Sequence, residues 1–529
     1  MKWLIFFLFA PLLAFSQSAP AGNPDCDILI KGGRIVDGTG NNWYYGDVAV
    51  KDGKIFRIGR NVSLSAKRII DASGLIVAPG FIDVHTHLEG DEIKDPDATN
   101  FIFDGVTTCI TGNCGSSNTD VGKYLRFIDS LKLSINVATL IGHNDVREKV
   151  MGDADRDPTL AEMQQMKDMI DQGMRDGALG FSTGLIYIPG TYSKTNEIIE
   201  LAKIAARYNG VYTTHMRNEA DSVTEAIEEA LTVGREAKIP VEISHFKLSG
   251  QQNWGRSKIT VPMIEAARKE GIEVTIDQYP YTASSTTIST LLPDEILADG
   301  QDSIVARLQR AAVRKYVIEY MLKKLQKRGL KHFSYAVVAY YAPDTAYNGK
   351  SIEQINLTRK RKHTAKDEAE TVMDIVMHGG ASAIFHGMSE DDVKRIMKYP
   401  FCMFGCDGSI RVFGKGMPHP RAYGTNARIL AEYVREQHVI SLEEAIRRMT
   451  SLAAQKFQLH DRGLLAEGYA ADIVVFDENR VQDVSTYDHP HAYSRGFKYV
   501  IVNGALTMEN EKHLGVRAGR ALYGPGFSK

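Results

Sequence analysis

The sequence predicts an α/β protein: a closed (β/α)8 barrel of the TIM type carrying a small β-sandwich domain built from both chain ends. Three observations carry that expectation. Eight short, mostly apolar runs recur between residues 80 and 408, several of them separated by segments of helical period such as NEIIELAKIAARYN and DSVTEAIEEALTVGREA. Strand-like pieces closed by Gly or Asp-Gly occur near both termini, and DILIKGGRIVDG and KYVIVNGALTME share one strand–turn–strand texture. The formal charge is −2 over 529 residues with no basic stripe, which fits an ordinary globular protein and excludes nucleic acid as a partner.

At the N-terminus, MK is followed by WLIFFLFAPLLAF and then SQS: a charged start, an apolar run and a small-residue exit. The apolar run has thirteen residues, fewer than the roughly 20 a membrane-spanning helix needs. Residues 1–16 are therefore expected to be a signal peptide, and the mature protein to be exported (periplasmic or secreted) with no stable membrane anchor. The five cysteines are Cys26, Cys109, Cys114, Cys402 and Cys406. So sparse and odd a set is no disulfide framework, and at least one is expected to be a free thiol or a metal ligand.

Residues 24–79 and 455–529 are expected to form the discontinuous β-domain, and residues 80–454 the barrel. The barrel strands are read in GFIDVHTH, VTTCITG, INVATLIG, GALGFSTG, VYTTHM, VEISHF, EVTIDQYP and CMFGCDG. About 120 residues separate DQYPY from CMFGCD, far more than a crossover helix uses. Residues 284–398 are read as an insertion in the seventh crossover, either a cap over the site or a peripheral decoration. Within it, RLQRAAVRKYVIEYMLKKLQKRG is helical and basic on one face.

Barrels of this type carry their chemistry at the C-terminal ends of the strands. His85 and His87, at i and i+2, share one face of the first strand and can reach one point. The second strand leads to Cys114, the fifth ends in His215, the sixth in His245 and the eighth in Asp407. These six residues at equivalent positions point to a metal centre, and imidazole, thiolate and carboxylate together suit zinc. Six ligands exceed one tetrahedral ion, so two neighbouring positions are expected, with Cys114 placed to bridge them. Zinc makes hydroxide available from water near pH 7. Asp407 would take a proton from the attacking water and pass it to a leaving nitrogen.

GFIDVHTH, the single histidines on strands five and six, and the aspartate on strand eight resemble the amidohydrolase superfamily. More closely, GVTTCITGNCGSS, DGALGFSTGLIYIPG, TTHMRNE, ISHFK, DQYPYTASST and HPRAYGT, in this order, resemble the N-acyl-D-amino-acid deacylases, or D-aminoacylases. The resemblance covers nearly the whole chain after the leader. It implies zinc-dependent hydrolysis of the amide of a small N-acyl-D-amino acid to a carboxylate and a free D-amino acid. It implies that Cys114 replaces the superfamily's bridging carboxylated lysine. One zinc would be tightly held by Cys114, His215 and His245, with a second, weaker position at His85 and His87. Asp407 would be both ligand and general base and acid. Lys247 and Arg421 would meet the substrate carboxylate, while Tyr187, Tyr279 and Ser285 would hydrogen-bond that carboxylate or the developing oxyanion. His143 and Arg217 would stand behind the ligands or in the pocket wall. The spacer between Asp407 and Arg421 is longer than the family's, which marks this loop as pocket rim.

Two other readings stay open at this point. One is a different amidohydrolase, acting on a cyclic amide or an isoaspartyl-type dipeptide. The missing lysine on strand four and the GNCG cysteine speak against ring-opening relatives, and no partner for a dipeptide's free amine is evident. The other is a non-catalytic binding relative, against which the intact ligand set and Asp407 argue.

Overall fold

A computed structural model describes residues 24–528. The expected signal peptide, residues 1–16, lies outside the described residues. Eight parallel strands follow one another around the barrel: Phe81–Asp83, Val106–Thr111, Asn136–Thr139 with its continuation Ile141–Gly142, Gly180–Gly184, Val211–His215, Val241–Ile243, Val274–Gln278 and Cys402–Phe404. Val106–Thr111 and Val211–His215 are buried at every residue, as strands covered on both faces must be. The helices that cover them bury one stripe each. Thr195–Ala206 turns Ile198, Leu201, Ala202 and Ala205 inward, at the three- and four-residue spacing of a helix.

The barrel closes where its last strand meets its first. The Asp407 N–H donates to the His85 carbonyl and the His87 N–H to the Gly408 carbonyl, both at 2.8 Å. That closure needs Gly405, because a Cβ there would lie 2.5 Å from the Cβ of His85. Eighth-strand Asp407 and first-strand His85 and His87 therefore become neighbours across the seam.

Strands from both chain ends join one nine-stranded sheet. Alternation divides its residues between two cores. Ile473 and Val475 pack with Ile28, Ile30, Val48 and Val50 inside the β-domain, while Val474 and Phe476 face the barrel core. A bridge between Lys54 and Ala470 brings the strand Lys54–Gly59 back to the lead-in of Ile473–Phe476, so the sheet wraps around its own core.

The long seventh crossover builds a separate lobe. Ala283–Thr287, Ser382–His386 and Ala336–Tyr340 form an antiparallel sheet, backed by Ala311–Lys327 and Ala365–Met377. Ile288, Leu308, Met321, Phe333, Val372 and Val376 give it a core of its own. The chain rejoins the barrel at Glu390–Met397, whose Val393, Ile396 and Met397 belong to the barrel core. The lobe therefore ends before that helix, short of residue 398. The helix's apolar spacing is visible in the sequence, but the spacing does not say which core it joins.

Candidate active site

All six ligand-type residues meet at the C-terminal mouth of the barrel. The Cys114 thiol sulfur lies 3.3 Å from His85 Nε2 and 3.5 Å from His245 Nε2. Two triads share it: His85, His87 and Cys114 on one side, and Cys114, His215 and His245 on the other. Asp407 Oδ1 lies 3.2 Å from His87 Nε2 and 3.8 Å from His85 Nε2. Cys114, His245 and Asp407 have positive φ angles of 53°, 36° and 48°. Each sits just past its strand, in a region that costs a side-chain-bearing residue roughly 1–3 kcal/mol. Such strain clusters at binding sites, and here three converging side chains carry it.

The residues fit a bound cation. His215 is buried, and both of its ring nitrogens lack a hydrogen-bond partner among the described residues. Burial opposes ionisation of the Cys114 thiol, but the charges of His85 and His245 and the close His245 imidazole outweigh it, and its pKa falls well below the ordinary thiol value. A thiolate beside imidazole lone pairs is the donor set zinc prefers.

Two acidic residues that sequence reasoning missed orient these ligands. Asp277 Oδ2 accepts from His85 Nδ1 at 3.1 Å, and its Oδ1 accepts from the His245 backbone N–H at 3.0 Å. Glu219 Oε1 lies 3.0 Å from His245 Nδ1 and accepts from Lys247 Nζ at 2.6 Å. At His85 the Nδ1 proton is thereby spent on a carboxylate and Nε2 turns toward the cluster, while His245 Nδ1 is flanked by Glu219 and by Lys247 Nζ, the latter at 2.8 Å. Burial works against the charge on Glu219, but Lys247, His215 and His245 outweigh it and hold its carboxyl well below the usual range. The traces in the sequence were slight: Glu219 follows His215 by four residues in HMRNE, and Asp277 opens DQYPY. Glu219→Gln is expected to weaken zinc binding by about 10–100-fold, as measured by titration of metal-stripped protein. Unchanged affinity would remove Glu219 from this role.

The pocket over the cluster is a cavity of about 230 Å³. Tyr187, Lys247, Tyr279, Ser285 and Asp407 line it. Arg421 Nη1 pairs with Asp407 Oδ2 at 2.9 Å, yet its N–H has no aligned hydrogen-bond acceptor. The guanidinium stacks over the Tyr279 ring at 4.5 Å. The buried Tyr279 hydroxyl is also without a partner among the described residues, and burial pushes its pKa up, so it stays a donor. The Tyr187 hydroxyl lies 3.0 Å from Thr286 Oγ1. Lys247 faces the pocket, but its ammonium is turned to Glu219 and to the His245 carbonyl, at 2.6 and 3.0 Å.

Two residues read as wall or support lie away from the cluster. His143 Nε2 is tied to Glu197 at 2.8 Å, and Arg217 binds Glu229 and the carbonyls of Thr191 and Ser193. The spacer between Asp407 and Arg421 does not line the cavity. Its Ser409, Ile410 and Arg411 pack on Asn100 and Asp91 or face another cleft. The rim comes instead from the lobe, through Thr290, Leu291, Lys324, Arg328, Tyr335 and Phe385. The lobe is thus a cap over the site.

Residues 68–508 match the Amidohydrolase family. A D-aminoacylase of Alcaligenes xylosoxydans xylosoxydans is 34% identical over 520 residues, which cover 94% of this chain and 97% of that protein. The chain belongs to the amidohydrolases, on their D-aminoacylase branch. This hydrolase superposes with a TM-score of 0.81 and 35% identity on the N-acyl-D-glutamate deacylase of Bordetella bronchiseptica, solved with zinc and a phosphonate mimic of the tetrahedral intermediate. That match covers 94% of this chain and 99% of the other. It also superposes, with a TM-score of 0.80 and 33% identity over 94% of this chain and 100% of the other, on a D-aminoacylase with a binuclear metal centre, described as activated by one metal and attenuated by the second.

Proposed function

We propose that this amidohydrolase is a zinc enzyme that cleaves the amide of N-acyl-D-amino acids, releasing a carboxylate and a free D-amino acid. The observation that carries the reading is one carboxylate, Asp407, set between the His85–His87 pair and Arg421 beside the buried Cys114–His215–His245 triad. Cys114, His215 and His245 would hold the tight zinc, and His85 and His87 with Cys114 a second, weaker position. Zinc, when bound, supplies Lewis acidity for the amide carbonyl and for water. Asp407 accepts the proton of the attacking water and delivers it to the leaving nitrogen. Arg421 offers its unspent N–H to the substrate carboxylate in a charge-assisted contact. Tyr279, Tyr187 and Ser285 contribute neutral hydrogen-bond donors around the carboxylate and the developing oxyanion. The D configuration is supported by the relatives, and export by the leader pattern of residues 1–16.

Hydrolysis of paired N-acetyl-D- and N-acetyl-L-amino acids by zinc-loaded protein, read as free amine released, tests the reading. Turnover of the D series alone is the expected result. Turnover of a hydantoin or an isoaspartyl dipeptide with none of the acyl amino acids would overturn it.

The cap supports a finer proposal on the side chain. Leu291, Tyr335, Phe385 and Met388 form an apolar wall, and Lys324 and Arg328 stand among them. Lys327 is paired with Asp221 at 3.2 Å, whereas the Lys324 and Arg328 cations lie over the rings of Tyr320 and Tyr335. A substrate with an aliphatic stem and an anionic tip meets this wall best. Lys324→Met is expected to raise KM for N-acetyl-D-glutamate roughly fivefold, about 1 kcal/mol for a partly exposed charge pair, and to leave N-acetyl-D-leucine unchanged. Equal effects on both substrates would reject the assignment.

A further inference from the structure

The cap holds a second group of metal-ligating side chains, remote in sequence from the catalytic ones. His332 lies just before the turn Phe333–Tyr335, Glu353 in the helix Ile352–Thr358, His363 in the loop that follows, and Glu368 in the helix Ala365–Met377. One donor atom from each lies within 4.8 Å of all the others. His332 Nδ1 is 2.6 Å from Glu368 Oε1 and 3.8 Å from Glu353 Oε1, and His363 Nε2 is 2.6 Å from Glu353 Oε1. The two imidazoles stack with centroids 4.2 Å apart and planes 23° apart.

Charge is out of balance in this group. Glu368 is fully buried, and no Lys or Arg lies within ion-pair distance of it or of Glu353 among the described residues. Two carboxylates thus face two rings. A divalent cation would neutralise the two carboxylates and take the lone pairs of the two imidazoles that converge with them. The supporting contact is also in place. The Phe333 N–H donates to Glu368 Oε2 at 2.7 Å, which fixes that carboxylate with Oε1 toward His332.

We propose that His332, Glu353, His363 and Glu368 bind a zinc-type divalent cation that clips the cap together, at a site separate from the catalytic centre. Two imidazoles and two carboxylates supply four donors of types that zinc accepts, enough to fill a tetrahedral ion. The clip ties the turn that carries Tyr335, a residue of the substrate cavity wall, to the two helices behind it. Its role is to hold the cap's shape and not to take part in hydrolysis, and it does not depend on which amide the enzyme cleaves.

The test uses full-length protein stripped with a chelator and titrated with zinc alone. Wild type is expected to take up one equivalent more than the E353Q/H363A variant, whose two altered side chains are both partly exposed. H332A is expected to lose the same equivalent. Hydrogen exchange in residues 332–368 is expected to slow on zinc addition in wild type and not in E353Q/H363A. Hydrolysis at saturating zinc should be retained by E353Q/H363A, so failure of the clip and failure of the substrate reading are told apart. Equal zinc uptake by wild type and E353Q/H363A, or no zinc-dependent protection of 332–368 in wild type, would overturn the proposal.

Discussion

Asp407→Asn is expected to lower kcat by about three to four orders of magnitude, the upper part of the range that positioned acid–base groups contribute. The fold should be unaffected. Asparagine has the shape of aspartate, and it tolerates the left-handed backbone found here, with φ at 48°. The hydrogen bond that closes the barrel, from the Asp407 N–H to the His85 carbonyl, is a backbone contact and survives the change. The amide cannot accept the proton of an attacking water, nor hand one to a leaving nitrogen. Burial disfavours the aspartate's charge, but the Arg421 charge and the hydrogen bond from His87 hold the carboxyl well below the usual carboxylate range. The wild-type side chain is therefore ionised and ready to accept. Circular dichroism and zinc content should match wild type while steady-state turnover collapses. A variant within tenfold of wild type would remove Asp407 as the base.

The site was legible in the sequence wherever chemistry coincides with strand register. His85, His87, His215 and His245 end apolar runs of strand length, so their position on the barrel mouth follows from counting strands. Glu219 and Asp277 escaped because they act through other side chains. Nothing in HMRNE or DQYPY shows that a carboxylate will sit behind His245 or His85 until the barrel has closed. Lys247 illustrates the same limit: its place near the substrate was readable, but its engagement with Glu219 was not. The spacer before Arg421 misled for a further reason. An unusual loop length marks a difference without giving its direction, and this loop packs outward on Asn100 and Asp91. The cap, whose core is separate from the barrel's, forms the rim instead. Its placement depends on packing between lobes, which no local periodicity encodes.

Cys114→Ala is the second change with a very large expected effect. The thiolate is the one donor shared by the two histidine groups, 3.3 Å from His85 Nε2 and 3.5 Å from His245 Nε2. Removing it leaves His215 and His245 as the only protein ligands of the tight position. The loss of zinc affinity should exceed the roughly 10–100-fold that a missing partner behind a ligand costs. Zinc should therefore be lost from the catalytic position on gel filtration, and turnover with it. The neighbouring cysteines make the control. Cys109 and Cys406 are buried and free, and burial pushes both thiols well up, so neither is a thiolate at neutral pH. Cys406→Ala should keep both metal and activity, although it is adjacent to Asp407 in sequence. If Cys114→Ala retained its catalytic zinc, or if Cys406→Ala lost it, the thiolate would not be the hinge of the metal centre. The pair of variants thus separates a ligand from a merely buried sulfur, which cysteine burial alone does not do.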